Sequence, residues 1–140
     1  MLKDGIVLEN NDDRIVVNQY SFCELIKHLL THYVGISYET ASEMVSQSHL
    51  TKPVSTAMAA VLLSHELPYY WAMNLYYGNL YWQKGIPEQP EDMTAYFELE
   101  NSIIDYYRLN EPFEYHSVVS NEKWNNFFPN SNVFFFFSFS

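Results

Sequence analysis

Basic residues are scarce in this sequence. Seven Lys and Arg stand against seventeen Asp and Glu, a formal charge of −10 over 140 residues. Phosphate backbones are bound largely by displacing counterions with Lys and Arg, so neither direct nucleic-acid binding nor an anionic membrane surface is expected. Acidity serves solubility in the simplest case. It also suits a basic protein partner, or mimicry of nucleic acid toward a protein that binds it.

Cysteine and glycine are nearly as sparse. Cys23 stands alone, which excludes an intrachain disulfide. Four isolated glycines exclude a glycine-rich phosphate loop, and no G-x-S-x-G serine elbow occurs. No cofactor is expected. Long uncharged apolar runs are missing too: the longest candidate, Ala57 to Trp82, is interrupted by Ser64-His65-Glu66, Pro68 and Asn74, whereas a bilayer span wants about 20 predominantly apolar residues. Met1-Leu2-Lys3-Asp4-Gly5 carries no apolar signal segment. The expected location is the cytoplasm.

Aromatic residues, by contrast, are abundant, with twelve Tyr, ten Phe and three Trp, and 48% of the chain is hydrophobic. A chain of this size buries roughly two thirds of the surface it exposes when unfolded. The expectation is one globular domain over residues 1–128, followed by an atypical Phe-rich tail over 129–140. That tail contains four consecutive Phe, Phe134 to Phe137. Such a segment must be buried, bound or aggregation-prone. A short strand beside an N-terminal hairpin is one expectation for it, and a read-through or frameshift origin is another.

The order of elements follows from local pattern. Ile6-Val7-Leu8 and Arg14-Ile15-Val16-Val17 flank a polar Asn10-Asn11-Asp12-Asp13, which predicts a β-hairpin over 6–17. Ser21-Phe22-Cys23-Glu24 matches a capping box, and Phe22, Leu25, Ile26, Leu29, Leu30 and Tyr33 repeat behind it at helical spacing up to Gly35. Further helices are expected from Ser37 to about Gln47, from Val54 to Ser64, from Tyr69 to Gln83 behind Pro68, and from Glu91 to Asn110. Pro87-Glu88-Gln89-Pro90 reads as a linker-like loop, and Glu122 to Phe128 suits one further short helix. The predicted fold is therefore mainly α: about five helices packed around a central aromatic-rich helix (69–83), with the small hairpin and a short C-terminal strand at its margin.

Few constellations carry chemistry. Glu24, His28 and His32 recur every four residues on the first helix, a real metal-ligand spacing. They lie opposite the apolar face and are expected to be exposed, and a metal-dependent enzyme built on them is an alternative reading. His65-Glu66 lacks the second His of a zinc-protease motif, since that position is Tyr69. Cys23 sits in the first turn of a helix among core-like residues, where a buried structural cysteine is the better reading than a nucleophile. Ser37 to Leu63 has the outline of a helix-turn-helix, but Ser55 to Ala60 offers no Arg, Asn or Gln to meet base edges.

Two features point to a partner. Tyr69, Tyr76 and Tyr77 form one edge of the aromatic helix, and tyrosines make good anchors because an apolar ring ends in a polar tip. Glu91, Glu98 and Asp105 are seven apart and form one line on the last helix, with Glu100 on a neighbouring line. The leading expectation is a non-enzymatic, acidic protein-binding module, of the inhibitor, immunity-protein or antitoxin kind, with a basic partner. A small-ligand binder with an aromatic pocket is a further alternative.

Overall fold

In a computed structural model, residues 2–9, 14–53, 63, 65–110 and 137–139 are described. The β-branched runs at the N-terminus pair as expected. Strands β1 (Ile6–Glu9) and β2 (Arg14–Val17) are antiparallel, with Ile6 opposite Val17 and Glu9 opposite Arg14. A third strand, β3 (Phe137–Phe139), runs antiparallel along the other edge of β2, giving the order β1-β2-β3. The Phe-rich end of the chain thus supplies the strand that one sequence expectation proposed.

Helix α1 (Gln19–Leu29) follows β2 directly. Its start differs from the expected capping box, because Ser21 lies inside the helix and Asn18 precedes its first residue. The exposed N–H groups of the first turn are satisfied from the segment before β1 instead. Tyr20 N–H donates to the Lys3 carbonyl at 3.3 Å and Ser21 N–H to Asp4 Oδ1 at 2.9 Å. The Ser21 hydroxyl donates to the other Asp4 oxygen. A carboxylate at this end also opposes the positive pole of the helix dipole. Glu24 is left free for a different task.

Of the expected apolar set, Phe22, Leu25, Ile26, Leu29 and Leu30 lie in the core, and Tyr33 is half-buried against it. Gln19, Cys23 and Glu24 are buried as well. The helix is enclosed on nearly every side because α2 (Tyr38–Ser46), α3 (Pro68–Tyr77) and α4 (Met93–Asn110) all pack on it. The middle of the fold is therefore α1 and not the aromatic helix. Four α-helices occur among the described residues, against about five expected; the one expected from Val54 to Ser64, Leu63 apart, and the short one at Glu122 to Phe128 lie outside those residues. The 129–140 tail is described only at β3.

The ends of the remaining helices have local causes. Ser37 caps α2 by accepting a bond from Thr40 N–H at 3.1 Å. Asp92 caps α4, accepting from Ala95 N–H at 3.0 Å, which leaves Glu91 outside the helix. The aromatic helix starts at Pro68, whose missing N–H is not needed there, but it stops at Tyr77 instead of running to Gln83. Gly78 takes φ 92° and ψ −179°, a conformation open to glycine alone, and Leu80 turns left-handed at φ 56°. A 3₁₀ turn, Tyr81–Lys84, follows. Gly78-Asn79 is a turn signal that interrupts the aromatic run.

Gln19 ties a second 3₁₀ turn, His49–Thr51, onto α1. Its amide donates to the carbonyls of Leu50 at 2.9 Å and Lys52 at 2.6 Å. No helix among the described residues is long and apolar enough to cross a membrane.

Candidate functional site

Two cavities flank α1, and tyrosine dominates both. The first, of about 430 Å³, opens where α1 ends. There the helix widens into a π turn, Leu30–Val34, closed by Gly35 at φ 88°, whose N–H meets the carbonyls of Leu30 and Thr31 at 3.1 and 3.2 Å. This turn sets His32 and Tyr33 against the cavity, α3 contributes Tyr69, Met73 and Tyr77, and Glu91 and Asp92 stand at the edge facing them. The rings interlock edge to face, Tyr33 on Tyr69 at 5.2 Å and Tyr76 on Tyr77 at 4.8 Å.

The carboxylates are felt inside this cavity. Burial raises the pKa of the Tyr33 hydroxyl, and the charge of Asp92 raises it further. Burial likewise raises that of Tyr69, with added contributions from Tyr33, Tyr77 and Glu91. The contributions of Asp92 and Glu91 mean that a positive charge placed here would be favoured by the same fields that disfavour a phenolate, whereas burial opposes a charge of either sign.

The floor is rigid. The segment after the 3₁₀ turn is not a slack linker, because Tyr69 donates to the Pro87 carbonyl at 2.8 Å and Tyr81 to the Glu88 carbonyl at 2.6 Å. Pro90 is buried between them and α4.

Of the expected partner-binding residues, the structure gathers Tyr69, Tyr77 and Glu91 around this cavity. Tyr69 is almost fully buried and forms its wall rather than a protruding anchor. Tyr76 is 42% exposed and meets Tyr77 edge to face. Glu98 and Asp105 are exposed along α4 but do not line it. Glu100, expected on the acidic surface, is instead 1% exposed in the core, because the face of α4 that carries Tyr96, Ile104 and Tyr107 turns it inward with them. Burial pushes its carboxyl up to about 7, against the opposing hydrogen bond from Tyr96.

The second cavity, of about 480 Å³, lies on the opposite flank between α1, α2 and α4. Behind it Glu24, 4% exposed, accepts three bonds: from Lys27 Nζ at 2.7 Å, from the Tyr38 hydroxyl at 2.6 Å and from the Tyr107 hydroxyl at 3.0 Å. His28 Nε2 lies 2.8 Å from the same Tyr107 oxygen. Burial alone would raise the Glu24 pKa, but the bonds from Lys27, Tyr38 and Tyr107 and the Lys27 charge outweigh it and hold the carboxyl below its ordinary value.

The expected exposed stripe of Glu24, His28 and His32 is therefore taken apart. Glu24 is covered by Tyr38 and Tyr107 because α2 and α4 close over that side of α1. His28 lines one cavity and His32 the other. Among the described residues no three His, Cys, Asp or Glu side chains converge as a metal site. Cys23 is buried, its thiol 3.5 Å from the Leu50 carbonyl, and burial pushes its pKa up to about 12, so it is no nucleophile at neutral pH.

Tyr33, Tyr38 and Tyr107 are the site residues that sequence pattern missed. Only their helical spacing was visible, and that spacing placed Tyr33 in the apolar repeat of the first helix. The chain matches no protein-family model, no curated protein and no solved structure.

Proposed function

We propose that this chain is a non-enzymatic binding module for a basic protein partner, of the inhibitor, immunity-protein or antitoxin kind. One observation carries the reading: the cavity at the end of α1 joins tyrosine walls to two carboxylates, Glu91 and Asp92, in a chain of net charge −10. A Lys or Arg side chain entering there would meet ring faces, worth about 0.5–2 kcal/mol by cation–π attraction. It would also meet the Glu91 charge, worth about 1–4 kcal/mol near a surface. Asp92 contributes less, since one of its oxygens already serves the α4 N-terminus.

The division of labour follows from exposure. Glu98 and Asp105 stand on the open side of α4 and would act at a distance, raising the association rate of a basic partner. Tyr76 and Tyr77 would act on contact, in the dissociation rate.

The test is capture of a partner by the tagged full chain from its host lysate at low and high salt. A single stoichiometric partner released by salt is expected. Replacing Glu91, Glu98 and Asp105 by Lys should slow association and flatten its salt dependence, with Tm unchanged. Tyr77→Ala should speed dissociation. A partner whose binding ignores both changes, or none at low salt, would refute the reading.

A further inference from the structure

The second cavity is independent of the partner-binding reading, and its hydrogen-bond network fixes what kind of molecule it can hold. Glu24 is ionised at neutral pH, and an ionised carboxylate only accepts. It therefore draws the hydroxyl protons of Tyr38 and Tyr107 inward, away from the cavity. With its proton committed to Glu24, the Tyr107 oxygen can only accept from His28, so His28 Nε2 carries the hydrogen. The Nδ1 lone pair is then the bonding atom His28 has left to offer. Burial depresses the His28 pKa, against the pull of Glu24, which keeps the ring neutral and Nδ1 an acceptor.

Lys27 adds no donor to the cavity. Its ammonium is tied to Glu24 at 2.7 Å, 5.6 Å from the Tyr38 ring centroid. The walls are flat: the rings of Tyr38, Tyr106, Tyr107 and His28, with Ile103 as an apolar face and Ser102 at the edge. Tyr38 and Tyr106 are both substantially exposed, so the walls are accessible. The volume, about 480 Å³, falls within the range of about 300–1,000 Å³ usual for small-molecule sites.

We infer that this cavity is a binding site for a planar aromatic molecule carrying an N–H donor, stacked among Tyr38, Tyr106 and Tyr107 and bonded to His28 Nδ1. A bicyclic ring fits the space, and a donor is called for beside His28 because the carboxylate behind the wall has turned the hydroxyls of Tyr38 and Tyr107 into acceptors. A molecule that offered only acceptors at that position would leave Nδ1 unpaired.

The test compares two isosteric probes, indole and benzofuran, which differ in the N–H alone. Both are titrated into the full chain while the His28 ring resonances and their Nδ1 and Nε2 shifts are followed by NMR. Indole is expected to saturate, to shift the Nδ1 resonance, and to bind at least tenfold more tightly than benzofuran. His28→Phe, which keeps a ring and removes the acceptor, should abolish that preference. Equal affinity for the two probes would overturn the inference, as would a failure of indole to move the His28 signals. The probe comparison needs no variant, so it decides the matter whether or not His28→Phe folds.

Discussion

Glu24 and Glu100 are both buried, yet their surroundings push their charges in opposite directions. Glu24 has Lys27 and two phenols, so it stays ionised. Glu100 has the Tyr96 hydroxyl, and one of its oxygens lacks a partner among the described residues. Because its pKa rises from 4.5 to about 7 in the folded chain, the native state holds the proton more tightly than the unfolded one. Its favourable contribution is full below pH 4.5 and is lost as pH climbs to about 7. Glu100→Gln should thus raise stability at pH 8 by up to about 3 kcal/mol and change little at pH 4. Urea unfolding at both pH values checks this, and an equal change at both would exclude the burial account. Removing a group from the well-paired site has the opposite sign: Glu24→Ala strands Lys27 and two hydroxyls and should cost about 3–5 kcal/mol. Cys23 should resist thiol reagents in the native chain and react only on unfolding, since burial pushes its thiol up to about 12.

At the scale of elements, helix ends were the least legible part of the sequence. The start of α2 at Ser37 and the proline that opens α3 were readable because capping is local chemistry. The start of α1 was not, because its cap, Asp4, comes from before β1, across a hairpin. Asp4→Ala should lower stability by about 1 kcal/mol, read from the urea midpoint. The break at Gly78 was written in the sequence and hidden by the tyrosines around it. Leu80, left-handed at φ 56°, carries a conformational penalty that Asn tolerates better, so Leu80→Asn should gain about 1 kcal/mol. Gly78→Ala should lose at least as much, since its φ of 92° is strained for any side chain.

Over the whole molecule, the core of α1 could be read from spacing, but what covers its polar side could not. Tyr38 and Tyr107 reach Glu24 from 14 and 83 positions away, and periodicity along one helix carries no word of its neighbours. The same limit hid both cavities: Tyr77 and Glu91 were visible as candidates, whereas the π turn that adds His32 and Tyr33 has no pattern of its own. Charge acts at this scale as well. Acid protonates Glu24 and dissolves its network, while alkali ionises Glu100 and adds to the repulsion within an already acidic chain. Stability should peak near pH 5, falling toward pH 8 and below pH 4, as a series of urea midpoints would record.

The third strand has a consequence in time. Ile15 and Phe139, partners across β2 and β3, stand about 124 positions apart, so their meeting closes a very long loop. Helices α1 to α4, which lie between them, can settle first, from mostly nearby contacts. Until that closure the outer edge of β2 is a bare template, and Phe137–Phe139 is its unattached complement. Two molecules caught at that stage can each satisfy the other's edge. The same pairing that seals one native molecule is thus a route by which crowded, half-folded copies would exchange strands.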